Sequence, residues 1–432
     1  MQFYRTAPED LLRLLEQHGK DVVAVQRVLA ELHRCIRDDA TSRERMAQCH
    51  VVSRLAAHIE LHATQPGFLL QLSILLDALV IYDEHSTAEL QSAIVRHGLW
   101  RLVLRGMQAT AVDDELQAHG CALTSTLCYD YPRAPHDENQ VEMVQSGALE
   151  AIRTLLVAES TPLATYLCGV RAIGDLCYKN GTWGRDVLLK LLLCTVANTE
   201  IVLKISLFPL LSHGLDEHAK HAAVLEAIAR VFFVCLVAHP HPSKRGILQC
   251  SVLERALHCL HSRDLLVSTA YSILRLLETT LRDDEAAKDL LTQLDGANVI
   301  INAVEQLSDK YHDSIGHLVF LAAAIFSSMS LHVPAGGRPA PQATRIQGLM
   351  QHGAHTFAVS SLTSFPTETF VLEQCLCLME RLMISNHYRL MLVRAGAVRN
   401  VRYIYNTKQK QHEGLLELCE RVMSTLDKET ST

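Results

Sequence analysis

His58-Ile59-Glu60-Leu61-His62 places two imidazoles about one helical turn apart with a carboxylate between them, a spacing at which paired histidines can grip a metal ion. The carboxylate stands at the wrong place for the His-Glu-x-x-His arrangement of metalloproteases, and no third ligand follows. His239-Pro240-His241, His258 with His261, and Cys375-Leu376-Cys377 also fall short of zinc-binding spacing, since cysteines two apart on a helix point to different faces. The chain carries no Gly-x-Ser-x-Gly elbow, Walker loop, Gly-x-Gly-x-x-Gly or kinase signature. The chemistry expected is therefore binding: no catalytic residue, metal, cofactor or small-molecule substrate is anticipated.

Candidate binding residues fall in three places. From Arg381 to His412 the chain holds Arg381, Arg389, Arg394, Arg399, Arg402, Lys408 and Lys410 without one Asp or Glu, interleaved with Tyr388, Tyr403 and Tyr405. Seven cations set against a net charge of −7 leave −14 on the rest of the chain. Guanidinium groups pair carboxylates bidentately and stack on aromatic rings, so this stretch points to an acidic protein segment, with RNA as the weaker alternative and a solvated helix face as the bland reading. The loops Tyr129-Asp130-Tyr131-Pro132-Arg133-Ala134-Pro135-His136-Asp137-Glu138 and Tyr178-Lys179-Asn180-Gly181-Thr182-Trp183 offer aromatic anchors, or fold back to cover their own helices. Third, Ser125, Arg171, Asp175, Glu373, Gln374 and Arg381 are polar residues set among apolar ones, and Arg171 and Asp175 can alternatively pair along one helix.

Five phrases in one register position these groups: His97-Gly98-Leu99, Ser146-Gly147-Ala148, Asp295-Gly296-Ala297, His352-Gly353-Ala354 and Ala395-Gly396-Ala397. In each, Gly is followed by a residue that opens an apolar-periodic helix. The spacings are 49, 149, 57 and 43 residues, and the long step has room for three more units of about 40 to 50, the period of helical repeat arrays. Cys49-His50-Val51 occupies the same place in an earlier unit. Apolar residues make up 49% of the chain, and Gly and Pro together number 32 of 432, too few turns for an all-β protein of this size. Apolar runs such as Val231 to Ala238 are far shorter than the roughly 20 residues of a membrane span. Thirteen cysteines scattered through apolar helical stretches behave as core residues in a reducing compartment. With no apolar leader over Met1 to Asp10, the expected address is cytoplasmic, with cytoskeleton, flagellum or nucleus as the alternatives.

The stretch Val141 to Ile152, running on to Leu155-Leu156, resembles the armadillo repeat, in which a first helix ends at Gly and a second starts with Ala-Leu and continues into paired leucines. Gly169 to Cys177 is similar to the armadillo third helix. The resemblance implies an all-α fold, a right-handed α-solenoid of armadillo-like repeats. Residues 1–45 are then an N-terminal helical cap, 46–331 repeats with an irregular middle over 183–242, 332–344 a Pro/Gly loop, 345–426 C-terminal repeats and 427–432 a tail. The Trp and Asn ladder by which the importin alpha adaptors read basic peptides is missing, because Arg171 and Asp175 stand at those places. What the resemblance implies is a protein–protein interaction scaffold or adaptor that holds a partner segment along a concave groove; a larger assembly, cytoskeletal or flagellar, is the use expected of it. The alternatives are a regulatory cofactor of a small GTPase or an Hsp70 chaperone, and nucleic-acid binding through the basic stretch.

Overall fold

Pro8, whose missing N–H costs nothing in a first helical turn, opens an amphipathic helix, α1 (Pro8–His18), which packs on α2 (Val22–Asp38). The computed structural model describes residues 7–38, 40–62, 64–80, 87–110, 113–130, 134–158, 160–178, 198–311, 315–331, 340–408 and 413–427. Beyond the first pair, the described residues form eight three-helix repeats. The first is α3 (Ala40–Gln48), α4 (Val51–Ile59) and α5 (Pro66–Val80); the second α6 (Thr87–Arg96), α7 (Leu99–Ala109) and α8 (Asp114–Leu127); the third α9 (Asp137–Gln145), α10 (Ala148–Val157) and α11 (Leu163–Cys177). The fourth is α12, over residues 198–204, with α13 (Leu207–Glu217) and α14 (Ala222–Ala238). Next come α15 (Pro240–Gln249), α16 (Val252–Leu260) and α17 (Val267–Leu281), then α18 (Glu285–Gln293), α19 (Gly296–Tyr311) and α20 (Gly316–Ser330). The last two are α21 (Ala340–Gln351), α22 (Ala354–Ser364) and α23 (Thr369–Leu382), then α24 (Asn386–Arg394), α25 (Ala397–Lys408) and α26 (Glu413–Asp427). Two short strands, β1 (Tyr129–Asp130) and β2 (Ala134–Pro135), pair antiparallel after α8.

One backbone feature fixes the repeat. Between the first and second helix of each, a single residue takes a left-handed conformation: His50, Gly98, Gly147, Ser206, Ser251, Asp295, Gly353 and Gly396, with φ between 51° and 95°. That residue reverses the chain within one position, a conformation glycine adopts without strain. The five glycine phrases mark five of the eight, and glycine itself makes the turn in four of them. Ser206 and Ser251 divide the 149-residue step, so the irregular middle contains the same turn with a different residue in it. The expected single helix Ile201–Leu211 is accordingly two helices, broken at Ser206. Asp295 rather than Gly296 makes the sixth turn, and Gly296 is the first residue of α19, where a Cβ would stand 2.6 Å from the Leu291 side chain.

The chain divides into two compact units, Met1–Leu210 with Val237–Pro240 and Leu211–Leu236 with His241–Thr432. In the first, the long helices α2, α5, α8 and α11 pack side by side in sequence order. In the second, α17, α20, α23 and α26 do the same. These helices contribute the centre of each core: Phe68, Leu72, Leu75 and Leu76 from α5, and Leu318, Ala322, Ile325 and Phe326 from α20, are all buried. Each unit is a short α-solenoid of three-helix repeats whose apolar interior continues from one repeat to the next, because a triplet alone cannot bury its apolar faces. No helix among the described residues is long and apolar enough to cross a membrane. The expected Pro/Gly loop is shorter than the 332–344 span: α21 begins at Ala340, and Pro341 sits in its first turn, where proline is tolerated. Residues 332–339, 183–197 and 428–432 lie outside the described residues.

Candidate protein-binding surfaces

The long third helices are held in place by buried and half-buried polar side chains on the first helices. Gln91 Nε2 donates to the carbonyls of Tyr129 at 2.6 Å and Thr126 at 3.1 Å; Gln140 Nε2 donates to Asp175 at 2.8 Å and Tyr178 at 3.1 Å. Lys244 Nζ donates to the carbonyl of Arg282, and Lys288 Nζ to that of Leu331 at 3.3 Å. Each donor stands seven residues before the left-handed turn and satisfies carbonyls that a helix end leaves without intrahelical partners. Arg43, Thr199 and Arg389 occupy the same position in their repeats. A second series reaches the preceding third helix: Asn139 to Leu127, Asn198 to Leu176, Ser243 to Cys235 and Gln342 to Ser330. Lys288 and Arg345, both 1% exposed, also share Glu285 at 2.8 and 2.7 Å, and Arg345 reaches Asp289 at 3.2 Å. Burial pushes the Glu285 carboxyl up, but the hydrogen bonds and charges of Lys288 and Arg345 outweigh it and hold its pKa at about 2.

With their ends fixed, the third helices of the second unit turn a flank outward, and that flank carries connected rings. Tyr271 of α17 meets His317 of α20 edge-on at 6.4 Å; His317 stacks on Phe370 of α23 at 5.1 Å with planes 20° apart; Phe320 meets Phe370 at 5.7 Å. Tyr271 and Phe370 remain 37% and 36% exposed. At one end of this shelf opens a cavity of about 670 Å³ lined by Leu266, Val267, Tyr271, Tyr311 and Leu318, with Ser268, Ser272 and His317 as its polar members. Further along, Arg275 lies 3.9 Å over the ring of Phe233 of α14. Glu226 of α14 accepts from Ser268 at 2.7 Å and Thr269 at 2.9 Å.

Comparison with known proteins supports the fold. No protein-family model matches the chain, and no curated protein matches it in sequence. Among solved structures, an engineered protein from the Northeast Structural Genomics Consortium superposes with a TM-score of 0.66 at 15% identity, over 98% of this chain and 99% of that one. A structure from work on a phosphorylation switch between cadherin and beta-catenin gives 0.49 at 15% identity, over 98% and 84%. A second engineered protein gives 0.48 at 14% identity, over 65% and 96%. The first match shows that the whole chain shares an existing fold. At this level of identity it shows nothing further.

The structure separates the residues that the sequence groups together. Tyr129 is 8% exposed and its hydroxyl donates to Asp175 Oδ1 at 2.9 Å, so both face inward; its ring meets Tyr178 at 6.2 Å. Arg171 is exposed on α11. Nearby, Thr126 donates to Asp77 at 2.7 Å, and burial pushes the Asp77 carboxyl up. Tyr131, Trp183 and Lys410 lie outside the described residues, and Lys408 is the last residue of α25. Within the basic stretch, Arg381 lies on α23 and donates to the Ser327 carbonyl at 2.9 Å, beside Gln374, which donates to the Ser327 hydroxyl at 3.1 Å. Arg389, in the first-helix donor position, bonds Asn386. Arg394, Arg399, Arg402 and Tyr403 are exposed on α24 and α25.

The histidine motif resolves as packing. His62 is buried and its Nε2–H donates to the Gly19 carbonyl at 2.7 Å, with its ring 5.5 Å from Phe68. His261 Nδ1–H donates to the Leu257 carbonyl at 3.1 Å. Sequence reasoning missed both the aromatic shelf and the first-helix donors. The donors had a legible signal, a polar residue seven positions before seven of the eight turns, with Ile346 as the exception, visible once Ser206 and Ser251 are counted as turns. The shelf had none, because Tyr271, His317 and Phe370 are tens of residues apart and meet only through stacking of the third helices.

Proposed function

We propose that this protein is a protein–protein interaction scaffold that holds a segment of a partner along its third-helix face. The observation that carries this reading is the shelf of Tyr271, His317 and Phe370, contributed by three successive repeats and left open to solvent beside an apolar cavity. Exposed aromatic rings held rigidly by neighbouring repeats are what interface hot spots are made of, since they bury large area with little loss of side-chain freedom. Repeat arrays use such extended faces for binding. As part of the same proposal, the scaffold acts as an adaptor within a larger cytoplasmic assembly, of cytoskeletal or flagellar kind.

Peptide-display selection on the full chain tests the assignment. Enriched peptides are expected to carry aromatic or aliphatic anchors and to be released by the double variant Tyr271→Ala, Phe370→Ala, with an unchanged helical circular dichroism spectrum as the check that it folds. Failure to enrich any peptide, or equal capture by the double variant, overturns it.

A further inference from the structure

We propose that Arg394, Arg399, Arg402 and Tyr403 form a docking site for an acidic, Asp- and Glu-rich protein segment. The inference rests on the scaffold reading and names the partner chemistry at a second surface, distinct from the aromatic shelf.

Four observations converge on these residues. First, the structure sorts the cations of the stretch: Arg381 is bound to the Ser327 carbonyl and Arg389 stands in the first-helix donor position, while Arg394, Arg399 and Arg402 are exposed, with no ion pair among the described residues. Second, Arg399 and Arg402 are three apart on α25 and share a face with Tyr403, which is 60% exposed. The turn Ala395-Gly396 joins Arg394, at the end of α24, to the start of that helix. Third, Arg402 lies six residues after its left-handed turn, a position held by the buried Leu104, Ser212, Leu257, Ile301 and Val359 in five earlier repeats and by an exposed arginine, Arg153, in the third. Like Arg153, Arg402 is exposed there and adds nothing to the core. Fourth, α25 has no acidic residue in its first turn, where the helix dipole favours anions and opposes Arg399. Fold stability gives no reason to place cations there, and their fields add to that of the helix end.

Charge complementarity selects the occupant. Guanidiniums on one helix face can each take a carboxylate in a bidentate pair, and an exposed tyrosine ring beside them supplies stacking area. Glu420 of α26 is engaged by the Tyr405 hydroxyl at 2.9 Å. A nucleic acid would also meet the cations. Its uniform, dense charge extends well beyond a few residues, however, into a surface that is acidic overall, at −7 for the whole chain. A short acidic segment matches the patch without that repulsion.

The test uses the full chain and two probes, a fluorescein-labelled acidic peptide of alternating Glu and Asp with one central Phe, and a labelled single-stranded RNA of equal charge. Saturable peptide binding is expected, weakening about tenfold or more in Arg399→Glu, Arg402→Glu and about threefold in Tyr403→Ala, with Arg263→Ala unchanged. All four positions are exposed, and unaltered circular dichroism checks that the variants fold. Absent or variant-insensitive peptide binding overturns the proposal, as does tighter binding of the RNA. None of these results touches the scaffold reading, which stands or falls on the Tyr271 and Phe370 selection.

Discussion

The Tyr129 hydroxyl donates to Asp175 Oδ1 at 2.9 Å, tying the first residue of β1, just after α8, to the last turn of α11 across 46 positions of sequence. Both side chains are nearly buried, at 8% and 7% exposure. Removing the donor leaves a buried carboxylate one bond short, a change that costs about 1–3 kcal/mol. Tyr129→Phe is therefore expected to lower the stability of the first unit by that amount, read from the midpoint of urea unfolding. An unchanged midpoint would mean that the bond contributes nothing.

Glu285 gives the molecule an acid-sensitive joint. Its folded pKa of about 2 lies below the ordinary value of 4.5, so its contribution to stability is complete above 4.5 and fades as pH falls toward 2. Glu285→Gln is expected to destabilise the protein at neutral pH and to converge with the wild type in acid. Unfolding free energies measured across that range check the sign; a gap that stays constant down to pH 2 would contradict it.

Left-handed turns give a test with opposite signs at two places. Gly147 has φ 93° and room for a Cβ, whose nearest neighbour would be 3.6 Å away. The cost of Gly147→Ala is thus backbone strain alone, about 1–2 kcal/mol. Ser251 already bears that strain at φ 54°, and Ser251→Gly is expected to stabilise by up to about 1 kcal/mol. Thermal unfolding of both variants decides the matter.

First-helix donors should be distinguishable from binding cations. Gln140→Leu leaves the carbonyls of Asp175 and Tyr178 without their donor and should cost about 1–3 kcal/mol. Arg389→Leu, at the same repeat position, should also destabilise. Arg399→Leu, on an exposed face, is expected to change stability by no more than about 0.5 kcal/mol. Chemical denaturation of the three proteins side by side provides the comparison.

The thiols report opening of the cores. Burial pushes Cys235 and Cys375 up to about 12, so neither forms appreciable thiolate at neutral pH. Alkylation followed by mass spectrometry should leave both untouched in the native protein and modify them only as denaturant opens the helices. Rapid native labelling would show that these helices open locally.

Much of the architecture was readable before any coordinates. The glycine phrases and the period-3.6 apolar pattern are local properties, set by which residues tolerate a left-handed turn and which faces must be buried, and they identify helical repeats directly. The middle of the chain was less legible because Ser206 and Ser251 make the same turn with residues that carry no conformational signature, the tertiary packing overriding a weak local preference. The candidate surfaces were legible only in part. Exposed Arg399 and Arg402 could be listed from sequence, but not told apart from Arg381 and Arg389, which differ from them only in what stands opposite.

By itself, then, the sequence determined the class of element, its period and the absence of familiar catalytic motifs, because those depend on residue type and short spacing. Tertiary structure alone decided that Tyr129 and Asp175 face each other inside while Tyr271, His317 and Phe370 form one shelf outside. The physical reason is that stacking brings residues about one repeat apart into contact, and which flank of each third helix stays open is fixed by its neighbours on either side and not by its own pattern.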